Sequence, residues 1–258
     1  MPEALRNTLN SAVKQLDPRL QNLSSWQQVK QAATQHSDLL RHPTETSQIR
    51  NFQRWIVVNG FRPWGIGQRM HEGMDFHVYS DVNEQPHFVR NSLLVRQIAP
   101  GILLHRRPNH LGPYGNVFTV LHSLPQDGED ALISAYVHIE EIDQEAKIGT
   151  PMPTMRTSQG GNYSPGKELL PWMQHLHFEI GTIPSHLLLE LLETGKNPWG
   201  YQFATALDNL TTSEKSFGTA SFSDPLEIFP LAEPIRYAKT IKGKIIMDNS
   251  DKPTNRFE

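Results

Sequence analysis

From Gly60 onward the chain is cut into short apolar runs by Gly, Pro and Asn, and this texture limits the folds open to it more than any other feature. The runs fall at 78–79, 92–95, 101–104, 117–121 and 132–139. They are strand-length, and turn residues rather than helical segments separate them, which predicts an all-β domain and not a βαβ one.

The flanks read differently. Leu5, Leu9, Val13 and Leu16 recur at helical spacing, and Asp17-Pro18 has the form of a cap followed by a first helical proline. Ser24 with Gln27 matches a capping box ahead of a helix that ends near His42-Pro43. A third amphipathic piece, carrying Ile49, Phe52, Trp55 and Ile56, ends at Asn59-Gly60. Residues 1–59 are therefore expected to form an N-terminal helical segment, and 60–235 the β-rich domain. Pro184-Ser185 opens a leucine-dense helical insertion near 184–210, within about 182–222, and 236–258 reads as a polar C-terminal tail.

Composition excludes several function classes. No apolar run approaches the ~20 residues of a membrane-spanning helix, so no membrane span is expected. A net charge of -3, without a long Lys/Arg run, leaves nothing to drive counterion release, so nucleic acid is not an expected partner. There are no cysteines, which removes disulfides, thiolate metal sites and a cysteine nucleophile. Any metal must be held by His and carboxylates. The opening MPEALRNTLNSAVKQL lacks the basic start and apolar stretch of a secretory signal.

Two short motifs carry the chemistry. In His175-Leu176-His177-Phe178-Glu179-Ile180, strand alternation turns His175, His177 and Glu179 to one face and packs Leu176, Phe178 and Ile180 into the core. In His71-Glu72-Gly73-Met74-Asp75-Phe76, the outer His and Asp would stand ~13 Å apart in an extended chain, too far to share an ion at ~2 Å bond lengths. The chain must bend between them, and Gly73 can adopt the angles a bend requires. Taken alone, H-x-H is as often a half-exposed strand that happens to carry polar residues, and H-x-x-x-D is more often a pair of surface residues. Together they supply two His and one Asp as ligands with a further His beside them. Zinc catalysis uses that set: three N/O ligands and a fourth position for water. His138, in Ala135-Tyr136-Val137-His138, shares a face with Tyr136 in a regular strand, and a lone strand histidine is usually structural.

The order HEGMDF, YGNVFTVLH, ISAYVHI, an I-G-T turn and HLHFEI resembles the M23 family of zinc metallopeptidases, which includes the lysostaphin and LytM-type peptidoglycan endopeptidases. The resemblance covers roughly residues 66 to 181, and DPLEIF at 224–229 is similar to the family's closing segment. It implies a mainly β fold, an antiparallel sheet groove with zinc at its floor. Matched position by position, His71, Asp75 and His177 correspond to the ligands of one zinc per chain, and His138 and His175 to non-ligand catalytic histidines. The implied activity is a zinc metalloendopeptidase acting on peptide or peptidoglycan substrates. A zinc-bound water would attack the carbonyl, and the two histidines would move its proton and stabilise charge. Which of the two is the general base stays open. The family also implies a periplasmic or secreted bacterial protein, and places the N-terminal helices as a candidate cover for the groove.

The sequence departs from the family at 77–93, which resembles an insertion, and at 158–174, which replaces the usual short Gly-rich approach to H-x-H. No tyrosine precedes the first His within 62–70. His36, His42, His77, His87, His105, His110, His122 and His186 read as structural or exposed. Two other functions compete. One is a zinc-containing groove used as a non-catalytic peptide or cell-wall binding module. The other is a cupin-type iron oxygenase, for which Glu179 lies too near the His pair and HEGMDF would be idle.

Overall fold

The computed structural model describes residues 3–44, 53–59, 73–80, 87–88, 94–107, 116–125, 129–141, 145–157, 174–185, 188, 221–223, 225–228, 236–241 and 244–248. Two helices, α1 (Glu3–Val13) and α2 (Trp26–Ala33), precede the strands β1 (Gln53–Asn59), β2 (Met74–Ser80), β3 (His87–Phe88), β4 (Leu94–Val95), β5 (Ile102–Arg107) and β6 (Asn116–Ser123). The chain continues through β7 (Asp130–Glu141), β8 (Met155–Thr157), β9 (Leu176–Pro184), β10 (Ser221–Ser223), β11 (Arg236–Ile241) and β12 (Lys244–Asp248). The fold is mainly antiparallel β, as the short apolar runs predict. Its main path runs β12-β11-β1-β2-β9-β7-β6-β5, with one parallel pair, β1 beside β11.

Alternation decides which residues meet. Asp75 lies opposite His177, and His177 opposite Val137, while Met74 and Tyr136 both lie opposite Phe178. One face of the sheet therefore carries Met74, Phe76, Phe118, Tyr136, Leu176, Phe178 and Ile180, all buried in one apolar cluster with Trp26 and Val29 of α2. Burying a side chain of this class contributes about 1.5–3 kcal/mol. Trp26 also donates its indole N–H to the Gly181 carbonyl at 3.0 Å, which pins α2 to β9. The opposite face carries Ile102, Leu104, Leu121, Ala131, Ile133, Ala135 and Ile183, covered by Ala12 of α1 and by Leu16 just beyond it. Both faces are thus covered, which is why β6 and β7 are buried along nearly their whole length.

Several sequence expectations are corrected. The piece expected to be a third helix, containing Trp55 and Ile56, is β1 over Gln53–Asn59. Its Trp-Ile-Val-Val run is rich in strand formers, and ladder partners on both sides outweigh the local helical spacing. The segment read as a polar tail contains β11 and β12, paired as antiparallel neighbours. The capping box is one residue later than predicted: Gln28 N–H donates to Ser25 Oγ, and Ser25 N–H to Gln28 Oε1. The helix it opens ends at Ala33 rather than near His42, and Asp17-Pro18 starts a turn, with Leu20 N–H donating to the Asp17 carbonyl, rather than a helix. Most of the predicted insertion at 184–210 lies outside the described residues. Among the described residues no helix is long and apolar enough to cross a membrane.

The helices do not pack on the predicted groove floor. The buried residues of α2 lie on the opposite face from His177, and α1, with Ala12 buried, contacts β5, three places from β9 in the sheet. The expectation that they cover the groove finds no support in these contacts.

Candidate metal centre

At one end of the second face, three strands distant in sequence bring six polar side chains together. Asp75 and His77 come from β2, His138 from β7, His177 and Glu179 from β9, and His175 from the residue just before it. All six are buried. His177 Nδ1 lies 2.8 Å from Asp75 Oδ1, and its Nε2 lies 2.6 Å from Glu179 Oε1. His175 Nε2 lies 3.7 Å from the same Asp75 oxygen. The His138 and His175 rings meet edge to face at 4.5 Å, and His138 stands 6.2 Å from His177.

His138 reaches this cluster by breaking the strand rule. A regular β7 would turn it to the Tyr136 face, as its sequence spacing predicts. Instead the pairing of β6 with β7 shifts register here: Asn116 faces Ile139, while Val117 faces Val137, so His138 is an extra residue. Its φ of 62° is the only positive value at a non-glycine position among the described residues. This β-bulge re-aims the ring onto the Asp75 face. A left-handed backbone at a non-glycine residue costs about 1–2 kcal/mol, and such strain persists where surrounding structure enforces it.

Gly73 acts differently from the expectation. It does not adopt positive φ; its lack of a side chain allows β2 and β9 to approach. A Cβ there would stand 2.2 Å from the Phe178 carbonyl oxygen and 2.7 Å from Glu179 Cγ. The glycine thus sets the spacing at which Asp75 and His177 face each other.

Burial pushes the His177 imidazole down, but the hydrogen bonds and charges of Asp75 and Glu179 outweigh it and raise it to about 10. His77 goes the other way, to about 3, through burial first and then the neighbouring His175. The donor set fits a cation. Asp75 Oδ1 and His177 Nδ1 are acceptors in their ligand forms, so at 2.8 Å a proton or a metal must lie between or beside them.

Of the predicted residues, Asp75, His138, His175 and His177 stand together, and His71 lies outside the described residues. Two residues of the cluster are not among the site residues read from the sequence: Glu179 is given a face but no role there, and His77 reads as structural or exposed. Glu179 is two positions past His177, and His77 two past Asp75, so same-face alternation was the available signal. Asp75, His77 and His175 form a group whose ligand atoms all lie within 4.8 Å of one another, a spacing that could hold a metal ion. The His77 and His175 rings, however, are stacked, with centroids 4.7 Å apart and planes 17° apart. A ring nitrogen offers its lone pair in the ring plane, so two stacked rings cannot both aim at one ion until one of them turns. His77 as it stands is a platform under His175.

No protein-family model and no curated protein matches the chain. Among solved structures it is similar to a zinc-containing peptidase from Vibrio cholerae, with 17% sequence identity and a TM-score of 0.32. The similarity covers 55% of this chain and 36% of that one, so this chain spans little more than a third of that protein's length.

Proposed function

We propose that this protein is a zinc metalloendopeptidase that hydrolyses peptide bonds in peptidoglycan cross-links or stem peptides. The observation that carries this reading is the convergence of Asp75, His138, His175 and His177, from three strands, on one buried end of one sheet face. Asp75 and His177 are the metal ligands in this reading, with His71 the third. A His and carboxylate set without thiolates suits zinc in a hydrolytic site. When bound, zinc supplies a Lewis acid and lowers the pKa of its water toward ~7.

The chain's own residues do the rest. His138 and His175, edge to face at 4.5 Å, divide the work: one takes the proton of the attacking water, and the other donates to the developing oxyanion and leaving amine. His77, stacked on His175, holds that ring against rotation. The bulge at His138 aims the second ring from the neighbouring strand toward His175.

The test begins with elemental analysis of the purified protein beside His177→Ala. About one zinc per chain, absent in the variant, is expected. His138→Ala and His175→Ala are then expected to keep zinc and to lose release of new amino termini from cross-linked peptidoglycan fragments. A wild type that takes up no zinc overturns the reading. Zinc-loaded protein that binds these fragments without cleaving them would identify a binding module instead.

A further inference from the structure

Glu179 is a carboxylate with 0% exposure, and burying such a group is unfavourable unless something compensates it. The space it occupies is made for it. Its strand partner on β7 is Ala135, and just ahead of β2 a side chain at Gly73 would run into its Cγ. Two small residues on the flanking strands leave room for the long acid in the middle. Its Oε1 then lies 2.6 Å from His177 Nε2.

We propose that Glu179 is a positioning residue that holds His177 in the metal-binding orientation, an inference that rests on the metal reading above. A ring nitrogen bonded to a carboxylate oxygen carries the proton, so Glu179 assigns the proton to Nε2. By the same rule Nδ1 donates to Asp75, 2.8 Å away; a cation that takes the place of that proton meets the Nδ1 lone pair while Glu179 keeps the proton on Nε2. The same contact stops the imidazole from flipping about its Cβ–Cγ axis, which would turn the wrong atoms toward the site. Charge supports the arrangement as well. Asp75 and Glu179 carry two negative charges on either side of one imidazole, and a divalent cation balances both where a single proton balances one. Glu179 stands behind the ring, on the opposite edge from the ligand nitrogen, and touches no reacting atom.

The experiment compares wild type, Glu179→Gln and Glu179→Leu by zinc affinity, measured through competition with a chromogenic chelator, with circular dichroism reporting folding. Nitrogen-15 NMR of the His177 ring reads the tautomer in the zinc-loaded protein. Expected are Nε2–H in the wild type, about 10- to 100-fold weaker zinc binding in Glu179→Leu, and a smaller loss in Glu179→Gln, which retains an acceptor oxygen. Should the leucine variant fail to fold, the glutamine variant alone still tests the proposal through the loss of charge. Folded variants that bind zinc as tightly as wild type, or an Nδ1–H tautomer in the zinc-loaded protein, would overturn it. A wild type that binds no zinc overturns the metal reading itself, a result distinct from an unchanged affinity in the variants.

Discussion

Two buried histidines of one sheet, His122 on β6 and His177 on β9, are opposite in kind. His122 in β6 lies at the shift between Leu121 and Ser123, on the apolar face beneath Trp26. Its Nδ1 lies 2.9 Å from the Pro100 carbonyl and its Nε2 2.8 Å from Ser134 Oγ. The carbonyl only accepts, so Nδ1 donates to it and Nε2 accepts from the serine. Ser134 adjoins Tyr136 Oη, which accepts from Ile98 N–H at 2.8 Å. Every partner is neutral, and burial pushes the ring down to about 4. His177, equally buried, stands between two carboxylates and is raised to about 10. Burial therefore does not set a histidine's charge by itself; the charge of its partners decides it. Ser134 and His122 have the residue types of a nucleophile and base, yet they serve to satisfy one another in the core.

The largest expected effect that would break this comparison is metal loss. His177→Ala should take zinc from about one per chain to none, whereas His122→Ala should keep the zinc and lower stability by about 1–3 kcal/mol, through the unpaired hydroxyl it leaves behind. Elemental analysis and urea unfolding of both variants check this. Metal loss in both would show that the two networks are not separate.

The pH dependence of the metal-free protein follows with the sign set by each shift. His177 has a folded pKa above its unfolded 6.5, so its contribution is full below about 6.5 and is lost as pH rises through about 10. His42 and His122 are depressed to about 4, so theirs is full above about 6.5 and is lost as pH falls toward 4. Urea unfolding across this range is expected to peak near pH 6.5. In His122→Asn the acid limb should shrink and the alkaline limb remain.

Gly73→Ala sharpens the comparison from the backbone. Its Cβ would meet the Phe178 carbonyl, so β2 and β9 must separate, at about 1–3 kcal/mol. Zinc affinity should fall with it, while the His122 network, two strands away, should be unaffected. Amide hydrogen exchange at Asp75 and His177 against that at Ser134 separates the two regions.

The smallest effect concerns the two register shifts themselves. His138→Gly is expected to leave stability within about 1 kcal/mol of wild type, because relief of the positive φ offsets the lost contacts and the entropy of glycine. Turnover of a peptide substrate should nevertheless be abolished. His122→Gly, with no such strain to relieve, should be destabilised like the alanine variant.

Much of this architecture was legible in the residues. Short runs divided by turn residues point to strands because they are too short for helices and are bounded by residues that break them, and the alternation in His175-Leu176-His177-Phe178-Glu179-Ile180 assigns each side chain to a face through the pleat alone. The identity of β1 was not legible, because its spacing suits a helix and only pairing with β2 and β11 makes it a strand. Nor was the face of His138, since a bulge arises from the mismatch between two paired strands and leaves no mark on either one. The same holds for His122 and His177: the sequence by itself determined which residues could bind or bond, by type and spacing. Only the tertiary structure decided which neighbours they have, because a histidine's charge is set by groups within a few ångströms, and here those groups come from strands up to about a hundred residues away.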